Sequence, residues 1–154
     1  MLVIGDSSGA TDVKFSGVAL VSERMLLGHC TAKGVAPDEI FRGEKLRTSH
    51  PSCPVAGREG ADSPFALSVW QHLTSASISP LTWVAWNAFP FHPHHERRPL
   101  ADCTPARGDL LAARRHLEAL RILFPKATLY AAGPLASNAL SEFQMPFQIL
   151  PAQK

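Results

Sequence analysis

Cysteine is scarce in this chain. The 154 residues include three cysteines, Cys30, Cys53 and Cys103, and the intervals between them are wide and unpatterned. An odd number of cysteines at such intervals argues against a disulfide framework, and the spacing does not fit a zinc knuckle. We therefore expect three reduced thiols and no metal held by cysteine.

The sequence also lacks a long apolar run and a strong excess of charge of one sign. No stretch approaches the roughly 18 apolar residues that a membrane-spanning helix needs, and no basic leader or export core precedes Gly5. We therefore expect a cytoplasmic protein with no membrane partner. A formal charge of +2 is too small to indicate a nucleic-acid partner by itself.

The length and the order of apolar segments predict one globular domain over residues 1–154. Short β-prone segments predict strands at residues 2–4, 82–86, 128–132 and 147–150. Periodicity and start signals predict helices at residues 22–28, 104–124 and 133–142, and they favour a helix at residues 65–73, where the spacing also fits a strand. Residues 31–62 are rich in Gly, Pro, Ser and charge, which predicts a long irregular excursion. Strands alternating with helices predict an α/β fold, a three-layer α/β/α sandwich around a mainly parallel four-stranded sheet.

The most informative stretch is residues 81–95, which read LTWVAWNAFPFHPHH. A β-prone apolar run ends at Asn87 and breaks into a loop of aromatic residues, prolines and histidines. Ligands of parallel α/β sheets bind at the carboxyl ends of the strands, so Asn87 stands where such a site forms. The structural alternative is that Asn87 only starts a turn and that the aromatic residues pack beneath the loop.

A polar turn follows the first predicted strand at the same edge of the sheet. The apolar residues 1–4 lead directly into residues 5–9, which read GDSSG. This turn lacks the glycine and lysine pattern of a phosphate-binding loop, which disfavours an unrelated α/β protein that binds a small molecule.

Together these two segments resemble the uracil-DNA glycosylase superfamily. Residues 86–94, WNAFPFHPH, are close to the Trp-Asn-x-Phe-Pro-Phe-His-Pro-His of one branch, and residues 5–9 occupy the place of its first motif. Weaker agreement at residues 15–24 and 129–140 extends the resemblance over nearly the whole chain. The resemblance implies a DNA repair protein that hydrolyses the N-glycosidic bond of a flipped deaminated base.

The resemblance also implies a base-binding surface around Asn87. The Asn87 amide carries a donor beside an acceptor, which matches a uracil carbonyl and N–H. The other base-binding positions implied are Gly5, Leu20, Phe89 and His94. The expected partner is DNA that contains uracil or another deaminated base, bound by a monomer.

The catalytic roles implied fall to the first turn and to the histidine-rich loop. Asp6 or Ser7 would orient the attacking water or stabilise the cationic sugar, and His92 would supply an imidazole near the departing base. The alternatives for these histidines are a metal site, which their spacing disfavours, and a purely solvated or capping role. We expect no cofactor and no iron–sulfur cluster, because the chain does not offer four cysteines in the pattern of the cluster-binding branches.

Basic residues beyond this loop suggest a DNA contact. Arg97 and Arg98 follow the histidines directly, and further arginines lie on the next predicted helix. The alternative is an ordinary solvated helix face.

The chain departs from the family pattern at three motif positions. Ser8 replaces the usual Pro, Leu20 stands where an aromatic residue stacks on the base, and residues 150–152 read Leu-Pro-Ala where the family has His-Pro-Ser or His-Pro-Ala. The sequence stops at Lys154, before the segment that family members insert into DNA. The alternative hypothesis is therefore an inactive or truncated relative that binds DNA or has no activity.

Overall fold

The computed structural model describes residues 1–9 and 11–151. The strands, in chain order, are β1 (Leu2–Ser7), β2 (Ala56–Gly57), β3 (Gly60–Ala61), β4 (Val84–Phe89), β5 (His94–His95), β6 (Arg98–Asp102), β7 (Leu129–Ala132) and β8 (Phe147–Ile149). The α-helices are α1 (Val13–Ser16), α2 (Glu23–Leu26), α3 (Pro37–Ile40), α4 (Pro64–Ser75), α5 (Arg107–Leu123) and α6 (Pro134–Glu142), and 3-10 turns span Thr31–Lys33 and Pro80–Thr82. Within the described residues no helix is both long enough and apolar enough to cross a membrane.

The chain forms two compact units. The sheet unit comprises Met1–Ser8 and Trp83–Pro151, and the second unit comprises Gly9–Thr82. The sheet unit holds β1, β4 to β8, α5 and α6, and the second unit holds the remaining elements. A single domain over residues 1–154 stays a prediction.

The sheet unit is built on four parallel strands in the order β4-β1-β7-β8. This confirms the predicted α/β fold with a central, parallel four-stranded sheet. β1 continues to Ser7, three residues beyond its predicted end, because Gly5 and Ser7 pair with Asn87 and Phe89 of β4. β4 begins at Val84, later than predicted, because the 3-10 turn Pro80–Thr82 precedes it.

One face of the sheet packs against α5 and α6. The apolar stripe of α5 buries Leu110, Leu117 and Leu120 in a single core with Leu2 and Ile4 of β1. α6 adds its own buried apolar residues, which are Ala136, Ala139 and Leu140. Val3, on the opposite face of β1, is also fully buried.

The boundaries of α5 and α6 show how local chemistry sets a helix start. α6 begins at Pro134 directly after Gly133, as predicted. The predicted start of α5 at Thr104-Pro105 is wrong, since the first helical residue is Arg107. The Asp109 carboxylate accepts a hydrogen bond from the Ala106 N–H at 3.0 Å, which satisfies a first-turn donor there.

The second unit is organised around the buried Glu23 carboxylate. Ser22 caps α2, as predicted, and the predicted helix at residues 65–73 is α4. Glu23 Oε1 accepts hydrogen bonds from the Thr48 and Ser49 N–H groups at 2.6 and 2.8 Å, and Oε2 accepts one from the Ala61 N–H at 3.0 Å. Residues 31–62, predicted to be irregular, thus contain short helices and a two-stranded hairpin that is tied to one carboxylate.

Candidate functional site

A cavity lies at the carboxyl edge of the parallel sheet, between the ends of β1 and β7. The chain passes from β1 to β4 on one side and then crosses to β7 on the other, so the crevice between the ends of β1 and β7 is a topological switch point. A cavity of about 470 Å³ opens there. It is lined by Asp6, Ser7, Asp102, Cys103, Thr104, Pro105, Pro134, Leu135 and Asn138.

Asp6 lines this cavity and binds the first turn of α6. Its Oδ1 accepts a hydrogen bond from the Ala136 N–H at 2.9 Å. Burial raises the pKa of the Asp6 carboxyl above its usual range, and backbone hydrogen bonds from Ala136 and Leu135 offset this only in part. A carboxyl of raised pKa beside a cavity is a common feature of functional sites.

Gly133 permits this contact between Asp6 and α6. Its φ of +125° lies outside the range that L side chains readily adopt. A Cβ at this position would lie 2.3 Å from Asp6 Oδ1. The glycine therefore serves both the turn out of β7 and the close approach of the carboxylate.

Asn87 is held beside the first turn by Ser8. Asn87 lies in register with Gly5 and is 3% exposed. Its Nδ2 donates a hydrogen bond to Ser8 Oγ at 3.2 Å, and Ser8 Oγ donates in turn to the Pro90 carbonyl oxygen at 3.0 Å. The structure therefore brings Asn87 and the turn at residues 5–9 together at one edge of the sheet.

The alternation of β1 separates the catalytic candidate Asp6 from the base-binding candidate Asn87. Asp6 reaches α6 on the face that also carries Ile4, whereas Asn87 shares the opposite face with Gly5. Ser7 follows Asp6 and pairs with Phe89, on the strand face of Asn87, and it also lines the cavity. Ser7 is therefore the catalytic candidate on the same strand face as the amide.

His92 connects the loop after β4 to Ser8. Its Nδ1 lies 3.0 Å from the Ser8 carbonyl oxygen and 3.4 Å from Asp102 Oδ1, and its Nε2 lies 3.1 Å from the Pro99 carbonyl oxygen. All three partners are acceptors, so the ring nitrogen that carries the hydrogen donates to an oxygen on its own side of the ring. His94 stacks on His92 with the ring planes 12° apart.

The remaining predicted residues of this loop lie at its surface or pack on one another. Phe89 meets Phe91 edge to face, with ring centroids 5.5 Å apart. Arg97, in the turn between β5 and β6, and Arg98, the first residue of β6, are exposed. Their side chains are available to a phosphate backbone, which is the contact predicted for them.

Two motif positions carry buried leucines. Leu20 belongs to the second unit and is 1% exposed, and its carbonyl oxygen accepts a hydrogen bond from Trp70 Nε1 at 2.9 Å. Leu150 is buried too, and its N–H donates to the Ala131 carbonyl oxygen at 2.8 Å. Neither side chain offers an aromatic face or an imidazole, and Ala152 lies outside the described residues.

Several residues at this edge were not singled out from the sequence. Asp102 lies beside His92 although the two residues are ten positions apart in the sequence. The pairing of β5 with β6, which places His94 opposite Asp102, brings them together. Thr104 had been assigned to the start of α5 but lines the cavity instead. Gly133 is predicted at this edge from its place between a strand and a helix-starting proline, but its close approach to Asp6 is not predicted.

The described residues contain no group of three or more histidine, cysteine or acidic side chains placed to hold a metal ion. Chemically, the edge carries a buried amide, a carboxyl of raised pKa, hydroxyls and an imidazole. Comparison of the chain with models of protein families gives no match, and comparison with curated proteins gives none either.

Proposed function

We propose that this protein is a uracil-DNA glycosylase-like enzyme that hydrolyses the N-glycosidic bond of a flipped, deaminated base. The observation that supports the proposal most is the pairing of Asn87 with the first turn through Ser8 at the carboxyl edge of the parallel sheet. The two segments that carry the resemblance are far apart in sequence, and they meet where such sheets bind ligands.

Base recognition is assigned to Asn87. A carboxamide that donates and accepts along one edge complements the N–H and the adjacent carbonyl of uracil. Because Asn87 is 3% exposed, a base reaches it only when the groups that cover it move aside. Base binding is therefore expected to be slower than diffusion allows.

The hydrolytic step is assigned to the first turn. Ser7 or Asp6 orients the attacking water, and an ionised Asp6 stabilises the positive charge that develops on the sugar. His92 lies in the neighbouring loop, but its two ring nitrogens already contact oxygen atoms of Ser8, Pro99 and Asp102. With Leu150 in the place of the family imidazole, we expect release about a hundred- to a thousandfold slower than with that donor present.

The second candidate is a relative that binds DNA without cleaving it. The burial of Asn87 and the engagement of Asp6 by α6 favour this candidate, because both groups are already satisfied inside the protein. Arg97 and Arg98 at the surface would then supply the phosphate contacts.

Release of uracil from a single-stranded oligonucleotide that contains one deoxyuridine distinguishes the two candidates. If the protein is an enzyme, it should release uracil at a measurable rate, and Asn87→Ala should lower that rate about a hundredfold or more. Asp6→Asn should lower the rate too, although its amide keeps an oxygen that can accept from the Ala136 N–H. Ser141→Ala on the exposed side of α6 is the matched control and should not change the rate.

Two outcomes contradict the proposal that the protein is an enzyme. Release that persists in both Asn87→Ala and Asp6→Asn indicates a contaminating activity. Salt-sensitive binding of the oligonucleotide with no release at any protein concentration supports the non-catalytic relative instead.

A further inference from the structure

Ser8 departs from the family pattern, and its hydroxyl has an unusual position in the site. It is 2% exposed and lies between the Asn87 amide and the Pro90 carbonyl oxygen, at 3.2 and 3.0 Å. Its main chain is held as well, because the Ser8 N–H donates to the Phe89 carbonyl oxygen at 3.2 Å. A proline here would lack both the hydroxyl and this N–H.

The hydrogen-bond inventory of these groups fixes the orientation of the Asn87 amide. A serine hydroxyl carries one hydrogen, and a carbonyl oxygen can only accept. The Ser8 hydrogen therefore belongs to the Pro90 carbonyl oxygen, and Ser8 Oγ can only accept from Asn87. The amide must turn its NH₂ group toward Ser8, because the reverse orientation would bring two acceptors together.

We propose that Ser8 is a positioning residue that makes Asn87 selective for uracil over cytosine. With one N–H hydrogen held by Ser8, the amide offers its Oδ1 and its other N–H hydrogen in a fixed order. Uracil presents a ring N–H beside a carbonyl and fits that order, whereas cytosine presents a ring acceptor beside an amino group and opposes it at both places. The selectivity rests on the proposed function, but the fixed orientation of the amide does not.

The loss of Ser8 should free the amide without removing it. In Ser8→Ala, Asn87 can rotate by half a turn and match the cytosine edge as well as the uracil edge. A site whose polar groups cannot reorient discriminates strongly, and one that can reorient does not. Ser8→Ala should therefore lower selectivity rather than abolish binding.

Nuclear magnetic resonance of selectively ¹⁵N-labelled asparagine tests the orientation directly. The chain has two asparagines, Asn87 and Asn138, so the spectrum contains two side-chain amides. Asn138 is exposed and serves as the internal reference. In the wild-type protein we expect side-chain hydrogen exchange at Asn87 to be at least about tenfold slower than at Asn138, and Ser8→Ala should remove most of that difference.

Titration with free uracil and free cytosine tests the selectivity in the same samples. We expect wild-type protein to bind uracil at least about tenfold more tightly than cytosine, Ser8→Ala to bind the two within about threefold, and Ser8→Thr, which keeps the hydroxyl, to restore the preference. Ser141→Ala should leave the preference unchanged. A far-ultraviolet circular dichroism spectrum that matches that of the wild-type protein shows that a variant is folded.

Three results would overturn the assignment. Asn87 and Asn138 amides that exchange equally fast in wild-type protein contradict the fixed orientation, and this measurement needs no variant to fold. A uracil preference that survives in Ser8→Ala contradicts the role of the hydroxyl. The third result is that the wild-type protein binds neither base although the Asn87 amide is protected from hydrogen exchange. This result contradicts the proposed function and the selectivity, but it is consistent with the fixed orientation of the amide.

Discussion

At the scale of single residues, two long-range hydrogen bonds hold the carboxyl edge of the sheet together, one from Asn87 to Ser8 and one from Ala136 to Asp6. Asn87 lies at the strand end where a site was expected, and Ser8 contacts it across 79 positions of sequence. The contact of Asp6 with Ala136 spans 130 positions, and no local pattern predicts it. Strand alternation alone puts Asp6 and Ser7 on opposite faces, so that separation was available from the sequence once β1 was known to include both.

The second unit offers the clearest electrostatic test at this scale. Burial favours the neutral form of Glu23, but hydrogen bonds from Ser49, Ala61 and Thr48 outweigh it and lower its pKa to about 2. An acid whose pKa is lowered by folding stabilises the folded state above its unfolded value, here 4.5, and that contribution is lost as the pH falls toward 2.

Glu23→Gln should lower the free energy of unfolding by about 2–3 kcal/mol at pH 7, because a charged acceptor of several N–H groups is replaced by an amide. The difference from wild type should shrink between pH 4.5 and pH 2. Thermal or urea unfolding measured across this range checks both statements.

Glu118→Gln is the matched control. Glu118 is about half exposed and pairs with Arg114 one turn away on α5, so its loss should cost about 0.5 kcal/mol or less. A Glu23→Gln variant as stable as Glu118→Gln at pH 7 would show that the Glu23 carboxylate does not organise the second unit.

At the scale of elements, the sequence predicts the strands and helices that have local signals, but it misplaces several of their ends. The order of strands and helices in the sheet unit follows from apolar segments separated by turn residues, and the start of α6 follows from Gly133 and Pro134. The start of α5 was placed too early because Thr104-Pro105 is a good start signal, while Asp109 forms the actual cap with Ala106. Two competing local signals within six residues cannot be ranked without the tertiary structure.

The junction of β7 and α6 provides a test of packing. Gly133→Ala would place a Cβ 2.3 Å from Asp6 Oδ1 at a backbone angle that alanine disfavours. We expect a loss of about 2–4 kcal/mol in the free energy of unfolding, from steric overlap and backbone strain together. Chemical denaturation measures it.

Gly108→Ala provides the control for this substitution. Gly108 lies in the first turn of α5, and an added Cβ there meets no atom within 4 Å. Alanine at such a position should be neutral or stabilise by up to about 1 kcal/mol. Equal effects of the two substitutions would contradict the close packing of Asp6 on Gly133.

At the scale of the whole molecule, a formal charge of +2 gives no broad attraction to nucleic acid. The proposed binding of DNA therefore depends on local contacts, and Arg97 and Arg98 are the exposed pair beside the histidine-rich loop. Removing both should lower the slope of log affinity against log salt for a single strand by about 1.4, at about 0.7 for each phosphate contact.

A double variant that removes Lys33 and Arg42 is the charge-matched control. Both residues are exposed in the second unit, away in sequence from the histidine-rich loop. Fluorescence anisotropy of a labelled oligonucleotide between low and moderate salt gives the slopes. Equal slopes of log affinity against log salt in the two double variants would show that binding depends only on the overall charge of the protein and that Arg97 and Arg98 do not contact the DNA.

The central claim is that the Asn87 carboxamide reads a nucleobase at the carboxyl edge of the sheet, and a crystal structure of the protein soaked with uracil tests it most directly. The claim predicts a planar ring whose N–H and adjacent carbonyl lie about 2.7–3.2 Å from Asn87 Oδ1 and Nδ2, with Ser8 Oγ still holding the amide. A ring bound elsewhere on the protein, with Asn87 contacting only Ser8, would contradict it.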